Sequence, residues 1–210
     1  MRHEKKLCIF GASGAAKEIR AVAKNFYDTV AYIDLKAGNP INGIPVKDED
    51  FFDSNIHCAI VGIGDSILRF KIVSKLLIKH PQIKFVTLVD SSSVLLDKDH
   101  IAIGRGSIIG ANSTLTTDIT LGEFTFINLN CTIGHNCKLG NFLTTAPGTK
   151  ISGKVTCGER VYFGSNSVAI ENIYIVGDVI IGAGSVVTKN ILESGVYVGI
   201  PARKIKNIGE

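Results

Sequence analysis

Long apolar runs, paired cysteines and concentrated charge are all missing from this 210-residue sequence, and each absence removes a class of protein. No uninterrupted apolar stretch approaches the ~18 residues a membrane-spanning helix requires, so none is expected. Leu7-Cys8-Ile9-Phe10 follows the basic residues Arg2, Lys5 and Lys6, but it stops at Gly11 and gives way to a charged amphipathic segment. It is too short to read as a secretory leader. The five cysteines, Cys8, Cys58, Cys131, Cys137 and Cys157, are odd in number and contain no Cys-x-x-Cys pair, a usage that suits a reducing cytoplasm and structural packing over metal or redox chemistry. A formal charge of +4 is spread along the chain without a basic run interleaved with aromatics, which excludes a nucleic-acid footprint while favouring a small anionic ligand such as a nucleotide. What remains, 45% apolar and 20% charged residues, is ordinary globular composition with room for one large domain or two small ones.

The sequence does contain a repeat. From Ile103 to about Val186 it reads in uninterrupted lines of six: IGRGSI, IGANST, LTTDIT, LGEFTF and onward to IGAGSV. The first column is apolar in nearly every line, with Thr145 the polar exception; the second is mostly Gly, and the fifth mostly Ser, Cys, Val, Ile or Thr. A short fixed period marks a β-solenoid, in which each repeat buries its apolar residue only by stacking on copies of itself. Three six-residue sides make one triangular turn, and second-column Gly is expected to supply the corners.

Before the array, Lys6 to Phe10 reads as a buried strand, Gly11-Ala12-Ser13-Gly14 as a turn, Ala15 to about Asn25 as a helix with Ile19, Val22 and Ala23 on one face, and Thr29 to Ile33 as a second strand ending at Asp34. This βαβ unit presents backbone N–H groups and a helix N-terminus to a phosphate, although Gly-x-x-Gly is an incomplete dinucleotide fingerprint. Strands are expected at Ile44 to Val46, Cys58 to Val61 and Lys84 to Val89. A helix runs from Ser66 to about Lys79, capped by Ser66 or Asp65, with Ile67, Phe70, Val73, Leu76 and Leu77 as its apolar face. Residues 1–100 thus form an α/β domain and residues 101–210 the solenoid with its tail.

Only one histidine, His135, falls inside the array. In the third column it should point outward, where it adds nothing to the core. With the Gly-rich α/β start, Asn128 and Gly134-His135 in the array, Ala146-Pro147-Gly148, and the closing Gly199-Ile200-Pro201-Ala202-Arg203, the chain resembles the bacterial sugar O- and N-acetyltransferases of the hexapeptide-repeat superfamily, whose solenoid is a left-handed parallel β-helix. The resemblance implies an acetyl-CoA-dependent transferase acting on a nucleotide-linked amino sugar in surface-glycan precursor biosynthesis, without a metal or a membrane or nucleic-acid partner. It also implies a cytoplasmic homotrimer with active sites at subunit interfaces.

The same resemblance assigns residues. His135 becomes the general base, with Asn136 beside it and Asn128 near the substrate, and corner glycines offering backbone N–H groups to an oxyanion. Thr144, Gly153, Ser165, Ala183, Lys189 and Arg203 fall on the cofactor side, with Lys204 a further candidate for its phosphates, and Ser13, Gly14, Asp34, Gly62 and Arg69 on the nucleotide side. The chain departs from the family at Asn136, where relatives often carry an acid, at Thr144, where they often carry a second histidine, and at Gly14-Ala15-Ala16 in place of Gly-His-Gly. Sialic acid O-acetylation and a non-catalytic nucleotide-sugar scaffold are the alternatives. A zinc centre of three imidazoles is disfavoured by the single histidine of the array.

Overall fold

The computed structural model describes residues 5–209; Arg2 and His3 lie outside them. It divides into two compact units, Met1–Leu88 and Val89–Glu210.

In the first unit β1 (Lys6–Phe10), β2 (Asp28–Ile33), β4 (Ile44–Lys47), β5 (His57–Val61) and β6 (Lys84–Phe85) are parallel, and β3 (Gly38–Ile41) adds an antiparallel edge, giving the order β3-β4-β2-β1-β5-β6. Central β1 is buried over four of its five residues, as a strand covered on both faces must be. Helix α1 (Gly14–Ala23) buries Ala16, Ile19, Val22 and Ala23. Helix α2 (Ser66–Lys79) starts at Asp65, whose carboxylate accepts from the Leu68 N–H at 2.7 Å, so Asp65 rather than Ser66 is the cap. Its buried face differs from the expected stripe: Arg69 is 1% exposed, whereas Phe70 is 37% exposed. The last expected strand is split, Lys84–Phe85 pairing with β5 and Leu88–Val89 forming a separate strand. Successive strands are added to one side of β1 as far as β3 and then to the other from β5 on, so the loops that follow β1 and β5 stand at the topological switch point where open parallel sheets take ligands.

The second unit is a parallel β-helix whose sheets hold five, six and eight strands. One wall runs Thr114, Thr132, Lys150, Val168, Val186 in register, eighteen residues per coil. From Ile109 through Ile181 every first-column residue is buried, and every fifth-column residue from Ser107 through Ser185 joins it inside. Cys131, Cys137 and Cys157 are among them, and burial pushes the Cys137 and Cys157 thiols up. The solenoid starts before the regular lines do. Val94–Leu95 pairs with Thr114–Leu115, a twenty-residue coil that carries its extra pair near the 3₁₀ turn Lys98–His100, which is why the boundary falls ahead of residue 100. At the far end Gly195–Val198 extends one wall, and Arg203–Lys206 closes it antiparallel.

The corners overturn the expected role of the glycines. Positive φ occurs in the fourth column, at Asn112 (57°), Asn136 (58°), Arg160 (57°) and Asp178 (56°), and not at second-column Gly. Second-column Gly serves coil stacking: a Cβ on Gly140 would lie 2.5 Å from the Gly158 carbonyl of the next coil. Even Phe124 and Phe142 adopt the left-handed conformation, with a strain of roughly 1–2 kcal/mol each. Both are buried, and their rings stack at 5.1 Å, which offsets that strain.

Candidate active site

His135 follows the strand Thr132–Ile133 and projects from a coil corner into solvent. Its Nδ1 lies 2.9 Å from Asn136 Oδ1. The left-handed backbone of Asn136 turns the corner and brings that amide back toward the ring. With Oδ1 accepting, Nδ1 carries the proton and Nε2 presents its lone pair. One coil on, Gly153 has no side chain, and the imidazole occupies the vacated space: a Cβ there would stand 2.5 Å from Nε2 and 2.6 Å from Cε1. The Lys154 N–H donates to the His135 carbonyl at 2.7 Å and ties the two coils together. His135, Asn136 and Gly153 are therefore one cluster.

The remaining solenoid residues occupy other places. Asn128 follows the strand Phe126–Ile127 at a different corner, where its Oδ1 accepts from the Leu129 N–H at 2.8 Å. Ser165 and Ala183 continue that second corner coil by coil, the Gly184 N–H donating to the Ser165 carbonyl. Thr144 is buried in the strand Thr144–Thr145, on a wall other than the one preceding His135. Lys189 and Arg203 are exposed near the C-terminal end, and Lys204 is paired with Glu193 at 3.2 Å. The second-column amides expected to face an oxyanion are already engaged, Gly134 N–H on the Ile151 carbonyl and Gly164 N–H on that of Ile181. Among the described residues several third-column amides, those of Gly153, Ser165 and Ala183 included, donate no hydrogen bond within the chain, so they are open to a ligand.

Below the His135 corner, Thr117 Oγ1 donates to Asp97 at 2.8 Å, and Asp97 pairs with His100 Nδ1 at 3.0 Å. The Asn136 N–H donates to the Thr117 carbonyl, so this chain of contacts leads up to the imidazole's neighbour. The bond from Asp97 raises the His100 pKa, and the His100 and Thr117 bonds lower that of Asp97.

In the first unit a cavity of about 390 Å³ opens where β1 and β2 end. Ser13 and Asp34 are in its lining. Ser13 stands at the N-cap of α1 without a side-chain capping bond, leaving the first-turn amides open to an anion. Gly14 has open space beside it and is not part of the lining. Gly62 and Arg69 are not in the lining of this cavity. A Cβ on Gly62 would stand 2.9 Å from Ala16 Cα and Cβ, so Gly62 exists to let α1 approach the sheet. The Arg69 guanidinium donates to the Ile63 and Gly64 carbonyls at 2.7 and 3.1 Å and holds the second glycine turn in shape. Burial pulls its pKa down to about 9, with Asp65 opposing, and it remains cationic at neutral pH. Sequence reasoning missed Glu49, Lys75, Leu35 and Ile63 in the cavity wall.

Among the described residues no group of three or more His, Cys, Asp or Glu is disposed to hold a metal ion, and no helix is long and apolar enough to cross a membrane.

A parallel β-helix, an α/β unit with an open phosphate-type turn, and an exposed imidazole on a coil corner are the features that the resemblance to hexapeptide-repeat acyltransferases implies. Comparison with known proteins agrees. The PglD N-terminal domain family matches residues 6–76. GDP-perosamine N-acetyltransferase of Escherichia coli O157:H7 is 29% identical, with 94% of this chain and 95% of that protein covered. A histidine-to-asparagine variant of perosamine N-acetyltransferase from Caulobacter crescentus, solved with CoA and GDP-perosamine, superposes with a TM-score of 0.87 at 25% identity, covering 94% of this chain and 95% of that one. WeeI from Acinetobacter baumannii AYE gives 0.87 at 29% identity, over 96% of this chain and 100% of that one. The chain is similar over nearly its whole length to hexapeptide-repeat N-acetyltransferases, its solenoid matches their left-handed β-helix, and it is an acyltransferase.

Proposed function

We propose that this protein transfers an acetyl group from acetyl-CoA to the amine of a nucleotide-linked amino sugar, with His135 as the general base. The observation that carries the residue assignment is the cluster of His135, Asn136 and Gly153. Asn136 Oδ1 holds the proton on Nδ1, and Nε2 is left as a base beside an unengaged Gly153 amide. Acetyl-CoA supplies the thioester carbonyl that the amine attacks, with CoA thiol leaving as the amide forms. Nε2 accepts the amine's proton and passes it to the departing CoA sulfur, a proton transfer that contributes roughly 10²–10⁴ in rate. The Gly153 N–H is the donor for the developing oxyanion. The free amides of Ser165 and Ala183 suit the amide groups of a pantetheine arm, beside which Thr144 is placed by resemblance. Lys189 and Arg203 suit its phosphates. Ser13, the start of α1 and Asp34 suit the phosphates and ribose of the nucleotide.

Within one chain Asn128 and Thr144 do not reach the His135 corner, and Leu129, Ile170 and Tyr174 leave apolar surface on the solenoid. Both features support a homotrimer in which a second copy completes each site. Five free cysteines support a reducing, cytoplasmic setting. The test is CoA-thiol release with a panel of nucleotide-linked amino sugars. His135→Ala should cut turnover about 10²–10⁴-fold without lowering the melting temperature, and near-normal turnover would remove His135 from the role of base.

A further inference from the structure

Along one corner of the solenoid the second-column residues are Gly110, Asn128, Ala146, Gly164 and Gly182, so Asn128 alone carries a polar side chain there. Beneath it lies a closed ring of buried hydrogen bonds. The Asn128 N–H is shared between the carbonyl and the hydroxyl of Thr145, both at 3.2 Å. That hydroxyl donates to Cys131 Sγ at 3.3 Å, and the thiol has the Ala146 carbonyl at 3.4 Å as its own acceptor. On the other side the Cys131 N–H donates to Ser113 Oγ at 3.0 Å, and the Ser113 hydroxyl donates to the Asn128 carbonyl at 2.6 Å. Ser113, Cys131 and Thr145 are all buried. The Asn128 side chain is held as well, Oδ1 accepting from the Leu129 N–H at 2.8 Å. Among the described residues Nδ2 then has no acceptor within the chain and stands as a free donor.

Part of this ring is common to the solenoid. Ser107 and Thr149 also donate to second-column carbonyls, those of Gly122 and Gly164, where no side chain needs holding. Thr145 is what differs. Every other first-column residue from Ile109 to Ile181 is apolar, and an aliphatic side chain would fill the same core without a hydroxyl to desolvate. We infer that Thr145 is a positioning residue, whose buried hydroxyl sets the Asn128 corner so that Nδ2 projects in a fixed direction toward an acceptor oxygen of the sugar nucleotide. The inference rests on the reading of Asn128 as a group with which one copy completes the site of another. Bonds in a closed, buried ring reinforce one another, which suits a donor that must keep its direction before the substrate arrives.

Steady-state CoA-thiol release by the full-length protein tests this with two substitutions. Thr145→Val keeps the branched shape and removes the hydroxyl, whereas Thr145→Ser keeps the hydroxyl. Thr145→Val should raise the KM for the sugar nucleotide about three- to tenfold, the worth of one hydrogen bond, without raising that for acetyl-CoA or lowering the melting temperature. Thr145→Ser should stay within about twofold of the parent, and Cys131→Ala, which takes away the hydroxyl's acceptor, should raise the same KM about twofold or more. In an Asn128→Ala background Thr145→Val should add nothing further. A parental KM in both Thr145→Val and Cys131→Ala, a rise shared equally by the two substrates, failure of serine to restore it, or a full effect without Asn128 would each overturn the role of Thr145 while leaving the proposed reaction intact. Parental kinetics in Asn128→Ala would remove Asn128 from the substrate and the inference with it. No turnover by the parent on any nucleotide-linked amino sugar would overturn the proposed function itself.

Discussion

Gly153→Ala separates the catalytic role of a glycine from its structural one. The added methyl would appear 2.5 Å from His135 Nε2, 2.6 Å from Cε1 and 3.0 Å from Cδ2, whereas carbon contacts settle near 3.5–4.0 Å. The ring must therefore retreat by roughly 1 Å. It can do so, because His135 is exposed and held by a single side-chain bond, and Gly153 is not among the positive-φ residues, so alanine brings no backbone strain there. The stability cost is then an off-rotamer side chain, about 0.5–1.5 kcal/mol, a shift of a few degrees at most in melting temperature for a chain of this size. The rate should suffer far more, since a misplacement of ~1 Å in a reacting group costs about 10²-fold. Gly140→Ala is the control. Its methyl would meet the Gly158 carbonyl, backbone that cannot swing aside, so it should lose about 1–3 kcal/mol or more through overpacking. CoA-thiol release and thermal melting measured on both variants decide the matter. Gly153→Ala with kcat within threefold of the parent, at unchanged KM, would refute the argument that this glycine exists to seat the base.

Asn136→Gly keeps a residue content with φ of 58° but removes the acceptor for Nδ1. Turnover should fall about tenfold with little change in melting temperature, and Asn136→Asp should restore activity while moving the acidic limb of the pH–rate profile upward, because a carboxylate stabilises the imidazolium. Arg69→Met withdraws the donors from the Ile63 and Gly64 carbonyls. It should destabilise the first unit by roughly 2 kcal/mol or more and raise the KM for the sugar nucleotide while sparing that for acetyl-CoA, read by urea unfolding and steady-state kinetics. His100 has a raised pKa and Asp97 a lowered one. The histidine's contribution is present below its unfolded value and lost as pH rises through the folded one, and the carboxylate's is present above its unfolded value and lost as pH falls through its folded one. The stability difference between the parent and His100→Gln should accordingly be greatest in mildly acidic solution and vanish at alkaline pH; a difference independent of pH would dissociate the pair from stability.

Much of the architecture was written in the hexads, because a solenoid repeats one local environment and the first and fifth columns state it directly. His135 stood out as the one histidine of the array, set in an outward column. The glycines were harder to read. Glycine is favoured both where φ is positive and where another backbone approaches closely, and the sequence does not distinguish the two. The dihedral angles do, placing the turn at the fourth column and the close approach at the second. Arg69 was placed on the nucleotide side by resemblance alone. Its burial follows from the direction of two carbonyls that no sequence pattern records. Glu49, inside the charged run Lys47-Asp48-Glu49-Asp50, carries no local pattern that would single it out.

By itself, then, the sequence determined the coil, its period and the βαβ start, and it singled out His135 as the candidate base, since these depend on residues close together in the chain. The tertiary structure decided which of those residues meet. Coil stacking sets His135 over Gly153, eighteen positions on, and the first unit brings Glu49 to Lys75, twenty-six positions on. Side chains that far apart come together only through packing, and packing energy is a property of the assembled surfaces rather than of any one stretch of chain.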